Sequence, residues 1–214
     1  MEIIQILVLA GTSIFSFIVI GIIFLRLYKK ATSEMAFVRT GLGGQMVIMG
    51  GGVLVLPGVH NICLVNMNTL RLEVSRNKDN SLITKDRMRV DVNAAFYVRV
   101  EPSIESIAAA AQTLGKRTLD PNSLKQLLED KFIDALRATA STMTMHQLQN
   151  ETQDFVQGVQ SAVSENLYKN GLELESMSLT SLEQTSKKYF NLSHDSDAEG
   201  LAKLTEETEL QPTE

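Results

Sequence analysis

The chain begins with a continuous apolar run from Ile3 to Leu25 that contains no formal charge. The run has 23 residues. At about 1.5 Å per residue a helix of this length extends roughly 35 Å, enough to cross a hydrocarbon core about 30 Å thick. Its few polar members include three hydroxyl residues, which a helix tolerates because they can bond back to its backbone. The pattern predicts a membrane-spanning helix bounded by Ile3 and Leu25.

The alternative interpretation of this run is a cleaved signal peptide. A signal peptide needs a basic leading region and a shorter apolar core. Here only Met1 and Glu2 precede the run, neither is basic, and the run is too long. We therefore expect an anchor that stays attached to the chain.

Basic residues follow the apolar run and none precedes it. Arg26, Lys29 and Lys30 lie directly after it, with Arg39 a little further on. Positive charge beside a span favours the cytoplasmic side of the membrane, and Tyr28 suits the headgroup layer. The flanks predict a single-pass protein with its bulk facing the cytoplasm.

Residues 31–100 show short alternating patterns that are typical of strands. Apolar runs at residues 35–39, 45–49 and 53–56 are separated by glycines, and further patterns cover residues 59–66 and 70–75. Residues 88–100 give the strongest signal. There apolar residues alternate with mostly polar residues along the whole segment. This alternation predicts a long strand with one buried face. The apolar set is Met88, Val90, Val92, Ala94, Phe96, Val98 and Val100, and Ala95 falls in the other set.

The period changes to that of helices after residue 102. Ser103 is placed to cap a first helix, and Asp120 followed by Pro121 to begin a second. Thr144 is placed to cap a short turn, and residues 150–153 resemble a capping box that opens a third helix. Asn170 and Gly171 then stop the helix, and an extended pattern with one slip follows from residue 172.

These elements predict an α+β fold with four parts. Residues 1–30 are the anchor and its basic flank, and residues 31–100 a β-rich subdomain. Residues 101–192 form a helical subdomain with a closing strand. Residues 193–214 are an acidic tail with seven acids and one base, so this tail carries more than the whole net charge of −5. The rest of the chain is close to neutral, which excludes a basic nucleic-acid-binding protein.

No catalytic, cofactor or metal site is predicted. The glycines near residue 43 lack the third glycine of a nucleotide fingerprint, because Met46 stands there, and no Gly-Lys-Ser/Thr follows. Three histidines, His60, His146 and His194, are far apart in sequence. Cys63 lies in an apolar strand and is interpreted as a core residue that stays reduced in the cytosol. The sequence therefore predicts a protein that is not an enzyme.

The glycine-punctuated apolar segment at residues 46–56 has two interpretations. It lies about twenty residues past the span, so it is able to reach the headgroup layer beside the anchor. The favoured interpretation is an ordinary buried hairpin. The candidate membrane-contacting residues are Met46, Val47, Ile48, Met49, Val53 and Leu54.

Several segments resemble the stomatin–prohibitin–flotillin (SPFH, band 7) superfamily. These are LITKD at residues 82–86 followed by MRVDV at 88–92, AAFYVRV at 94–100, and YKNGLEL at 168–174. The AEG at residues 198–200 is similar to the start of the flotillin coiled coil. Together with the order of elements, these segments make the chain most similar to bacterial inner-membrane flotillin-type proteins.

The resemblance implies a non-enzymatic scaffold. Such proteins assemble into large homo-oligomers on a membrane and organise lipid microdomains, membrane proteases or other integral proteins. The implied alternative is a regulatory subunit that binds a membrane protease or another integral membrane protein. The expected partners are the lipid bilayer, further copies of the chain and other integral proteins, with the bulk on the cytoplasmic face of the bacterial inner membrane.

The C-terminal part departs from the flotillin pattern. Flotillins continue in a long Ala/Glu-rich coiled coil, whereas this sequence ends at Glu214 and its last segment has too few apolar residues for sustained heptads. The sequence is interpreted as a truncated form, a fragment or a short natural member.

Overall fold

The computed structural model describes residues 2–190, 197–202 and 205. Helix α1 covers Glu2–Leu27, and the described part of the chain has one helix long and apolar enough, by length and composition, to cross a membrane. The described side chains between residues 3 and 25 are exposed. The Thr12 hydroxyl donates to the carbonyl oxygens of Val8 (3.0 Å) and Leu9 (2.9 Å), so one polar member of the run is satisfied within the helix.

Five strands follow α1 and form two small sheets. They are β1 (Tyr28–Ala31), β2 (Met35–Gly41), β3 (Met46–Ile48), β4 (Gly51–Leu54) and β5 (His60–Asn66). β1 pairs antiparallel with β4, and β2 lies between β3 and β5. The glycine-separated strands predicted from sequence are confirmed, and β1 is additional.

A larger antiparallel sheet is built around one long strand. Its strands are β6 (Leu70–Arg76), β7 (Leu82–Ile83), β8 (Arg89–Val100) and β9 (Leu172–Gln184). β6 and β7 pair with one edge of β8, and β9 pairs along the other edge with two register shifts. The predicted slip in the closing strand is therefore confirmed, and the strand has a second irregularity and a longer extent than expected.

The alternation along β8 produces the predicted buried face. All the apolar residues assigned to that face are buried, among them Val90, Val92 and Phe96 at 0% exposure. Ala95 was assigned to the other face and yet is 1% exposed. Its cross-strand neighbours Glu73 and Ser178 have longer side chains, so the second face of β8 is not uniformly open to solvent.

Four helices lie between β8 and β9 along the chain: α2 (Ile104–Thr113), α3 (Pro121–Ala140), α4 (Met145–Asn150) and α5 (Thr152–Tyr168). Ser103, Asp120 and Thr144 cap the first three through their side chains, as predicted. The hydrogen bond from the Ser123 hydroxyl, with further bonds from backbone N–H groups, holds the pKa of the Asp120 carboxyl below its ordinary value. Gly171, at φ +71°, follows α5 and lies at the turn into β9.

The capping box predicted at residues 150–153 is wrong. Asn150 is the last residue of α4, and Glu151 is the N-cap of α5 without a side-chain hydrogen bond. The capping box lies instead between Thr144 and Gln147, at the start of α4. Because α4 continues through Asn150, that side chain bonds to the preceding helical turn, at His146, and is not available to α5.

The helices pack on the large sheet, and most of the buried apolar residues between Ala36 and Phe190 form one hydrophobic cluster. At its centre the rings of Phe96 on β8 and Phe132 on α3 stack with centroids 4.3 Å apart. Both side chains are fully buried. This contact joins the sheet to the longest helix of the domain.

Candidate membrane-contacting surface

The anchor helix continues into the sheet without a linker. α1 ends at Leu27 and β1 begins at Tyr28. The backbone N–H of Val55, just after β4, donates to the carbonyl oxygen of Leu27 at 2.8 Å. A carbonyl in the last turn of a helix has no partner within that helix, so this bond satisfies it and holds residues 51–55 at the end of the span.

The basic flank is part of this connection. Arg26 lies in the last turn of α1, whereas Lys29 and Lys30 lie in β1, paired with Val53 and Gly52 of β4. All three basic side chains are exposed. Two of the three charges in the orientation argument are therefore held on a strand directly after the helix, and the third lies in its last turn.

The Tyr28 side chain packs across β4, against Gly52. A Cβ atom on Gly52 would overlap the Tyr28 ring, so a glycine there lets the aromatic ring pack against the strand. The ring remains 51% exposed. A half-exposed tyrosine directly after an apolar span suits the interface between hydrocarbon and water.

The six candidate membrane-contacting residues differ in exposure. Met46, Met49 and Leu54 are exposed, at 48%, 42% and 38%. Val47 and Ile48 are half-buried, and Val53 is buried at 9% exposure. The hairpin interpretation is wrong, because β3 pairs with β2 and β4 pairs with β1. The segment carries both buried and exposed apolar side chains, and its contact with the membrane stays a prediction.

Neighbouring loops extend this open surface with Leu42 and Val59, which sequence reasoning missed, and Leu56 adds to it at the end of the predicted segment. Leu42 is 78% exposed, Val59 46% and Leu56 42%. We define the apolar tip as Leu42, Met46, Met49, Leu54, Leu56 and Val59. Each added residue has a glycine one or two positions away, and an apolar side chain in a glycine turn was the signal available from the sequence.

His60 ties two of these loops together. Its Nδ1 accepts from the backbone N–H of Leu56, and its Nε2 lies 3.3 Å from the carbonyl oxygen of Leu42. Because Nδ1 accepts, the proton of the neutral ring is on Nε2 and is donated to Leu42. A Cβ atom on Gly41, at φ +138°, would overlap the Val59 carbonyl, so that glycine is needed for the close approach of the loops.

The remaining candidate groups are the glycines near residue 43, Cys63 and any cluster able to bind a metal. Gly43 and Gly44 adopt positive φ values of 94° and 86° with open space around them, which is typical of a turn. Burial raises the pKa of the Cys63 thiol, and the nearby Lys116 acts in the opposite direction to a smaller extent. Among residues 2–190, 197–202 and 205, no group of three or more His, Cys, Asp or Glu is arranged to hold a metal ion.

Part of the predicted acidic tail is docked on the domain. Residues 197–202 are helical and Asp197 is buried at 0% exposure, whereas the sequence predicted only an acidic tail at the start of a coiled-coil region. His194 lies outside the described residues. No local pattern marks Asp197, because its partner is far away along the chain.

Comparison with known proteins identifies the family. The SPFH domain / Band 7 family model matches residues 30–209. The chain is 66% identical over 191 residues to the flotillin family inner membrane protein YqiK of Escherichia coli (strain K12), covering 89% of the chain and 34% of that protein.

Two further relatives are more distant. The flotillin family inner membrane protein sll1021 of Synechocystis sp. is 30% identical over 90% of the chain and 29% of its own length. The flotillin-like protein FloT of Bacillus subtilis is 27% identical over 81% of the chain and 36% of its length. The chain thus spans about a third of the length of these relatives, and it belongs to the SPFH domain / band 7 family.

Proposed function

We propose that the chain is the membrane-anchored part of a self-assembling scaffold that organises microdomains on the cytoplasmic face of the bacterial inner membrane. Two relatives are named as inner membrane proteins, and the exposed apolar helix supports the same location. The proposal assigns no catalytic step and no nucleic-acid partner. Its partners are lipid, further copies of the chain and other integral membrane proteins.

The observation that carries the proposal is the rigid connection between anchor and domain. The bond from Val55 to Leu27 and the pairing of β1 with β4 join the span to a folded unit. A domain held in this way has a restricted height and orientation at the bilayer. Copies presented in one orientation meet with the same surfaces, which favours closed symmetric assemblies.

Native mass measurement tests the assembly. The complete reading frame, extracted from membranes in mild detergent, is expected to run as particles many times the mass of one chain, visible by negative-stain microscopy. Purely monomeric particles would contradict the proposal. Stable complexes of one copy with another integral protein would favour the regulatory-subunit alternative.

We further propose that the apolar tip enters the headgroup layer beside the anchor. Leu54 and Leu56 of the tip flank Val55, whose backbone N–H bonds to the end of the span. Burial of one leucine side chain in an apolar medium contributes about 1.5–3 kcal/mol. Exposed apolar groups of this kind mark interaction sites when they are contiguous. The position of the tip beside basic residues suits an anionic membrane surface.

A single introduced tryptophan tests this contact, since the chain has none. In full chain reconstituted into lipid nanodiscs, Leu42→Trp is expected to emit at shorter wavelength than a tryptophan in water and to be quenched by brominated lipid. The matched control is Tyr168→Trp, at a residue 66% exposed at the end of α5, which is expected to emit as in water. Equal emission and quenching at the two positions would show that the tip stays in solvent.

A further inference from the structure

A buried ion pair connects the large sheet to the chain that follows the domain. The Nε of Arg89 donates to one carboxylate oxygen of Asp197 and its Nη2 to the other, both at 2.8 Å. The two side chains are 12% and 1% exposed. Parallel, two-point contacts of this kind fix the relative orientation of both groups as well as their distance.

Other residues of the domain also hold Arg89 in place. It is the first residue of β8, and its Nη1 donates to the Ser81 hydroxyl at 3.2 Å. Its carbonyl oxygen accepts from the backbone N–H of Thr185, just after β9, at 3.0 Å. The position of the guanidinium is therefore fixed by contacts within the domain, with the segment before β7 and with the ends of β8 and β9.

A second contact lies one helical turn further along the docked segment. A Cβ atom on Gly200 would overlap the carbonyl oxygen of Arg87 and would lie 3.3 Å from the Phe190 ring. Residues 197 and 200 are three apart in a helix and so share one face. Leu201 also packs against the hydrophobic cluster. This helical turn thus contacts the domain in three ways: through the Asp197 carboxylate, the Gly200 backbone and the Leu201 side chain.

We infer that Arg89 and Asp197 form a clasp that fixes the direction in which the polypeptide leaves the SPFH domain. Buried ion pairs add little net stability over apolar residues, and their best-attested role is to specify one arrangement. Any chain that continues past residue 202 starts from this docked turn. The clasp therefore sets the angle between the domain and whatever follows it, whether or not the chain assembles as proposed above.

Hydrogen exchange of the full chain in nanodiscs tests the docking. Asp197→Asn keeps the shape of the side chain and removes its charge, and it is expected to speed amide exchange at residues 198–202 at least tenfold while β8 and α5 keep their protection. The matched control is Glu73→Gln, which breaks the Arg71–Glu73 pair, whose side chains are 55% and 62% exposed, and should change nothing at residues 198–202. Unchanged exchange in Asp197→Asn would overturn the inference.

Distance measurements test whether the clasp fixes the direction in which the chain leaves the domain. Spin labels at Thr205→Cys and Ser164→Cys, with Cys63→Ser to remove the native thiol, are expected to give one narrow distance distribution. Asp197→Asn should broaden it. Gly200→Ala, which pushes the same turn away without touching the charges, should broaden it as well, so the result does not depend on one variant. A distribution that stays narrow in both variants would overturn the clasp, including for a chain that still forms large particles.

Discussion

Protease added to spheroplasts will leave the chain beyond residue 30 intact, and the same protease will digest it in inverted membrane vesicles. The reason is the charge asymmetry of the anchor, with Arg26, Lys29 and Lys30 on one side only. Each basic residue near an anionic cytoplasmic leaflet contributes about 1 kcal/mol. The measurement is an immunoblot for a C-terminal epitope before and after protease.

The matched variant moves the positive charges from the C-terminal side of the span to its N-terminal side. Arg26, Lys29 and Lys30 are exposed, so replacing all three with glutamine is expected to leave the fold intact. Combined with Glu2→Lys and added lysines ahead of the span, the change should make a fraction of the chain sensitive in spheroplasts. Digestion of the unaltered chain in intact spheroplasts would place the domain outside the cytoplasm and reject the orientation.

Phe132→Ala will destabilise the domain by about 3–5 kcal/mol, the usual cost of removing a fully buried phenylalanine. The change removes the ring stacked on Phe96 and leaves a cavity between α3 and the sheet. Since domains of this size are stable by about 5–15 kcal/mol, the loss is a large part of the total. Urea unfolding of the detergent-solubilised chain, followed by circular dichroism, measures the difference in the free energy of unfolding.

The control for this substitution lies on the same helix. Leu127 is 38% exposed, and Leu127→Ala should cost less than about 1 kcal/mol because little apolar area leaves water there. Equal losses at both positions would mean that α3 is not packed through the stacked rings. Both residues are apolar positions of α3, so the comparison also separates the effect of hydrophobic pattern from the effect of burial.

Local rules predicted the parts of the fold whose causes lie close together in sequence. The alternation in β8, the caps at Ser103 and Asp120, and the apolar run of α1 each depend on residues within one element. They were predicted because strand pleat, helix capping and hydrophobic length act over a few residues. The capping box at residues 150–153 failed because a neighbouring helix had already taken Asn150.

The features missed by sequence reasoning depend on pairing across the chain. β1 looked like a basic membrane flank, and it becomes a strand because β4 offers it a partner. Asp197 looked like one of many tail acids, and it is buried because Arg89 lies 108 residues away on the sheet. In the apolar tip, loop geometry decides which side chains remain exposed. These outcomes follow from tertiary contacts that a local pattern does not contain.

The bond between Val55 and Leu27 has a mechanical consequence. A span longer than the local hydrocarbon thickness relieves the mismatch by tilting. α1 runs into β1 without a hinge and is hydrogen-bonded to the segment after β4. A change in the tilt of α1 would therefore rotate the whole domain with it. Bilayer thickness would then be converted into the angle at which neighbouring domains face each other, so the lipid around the anchor would act on the curvature of any assembly above it.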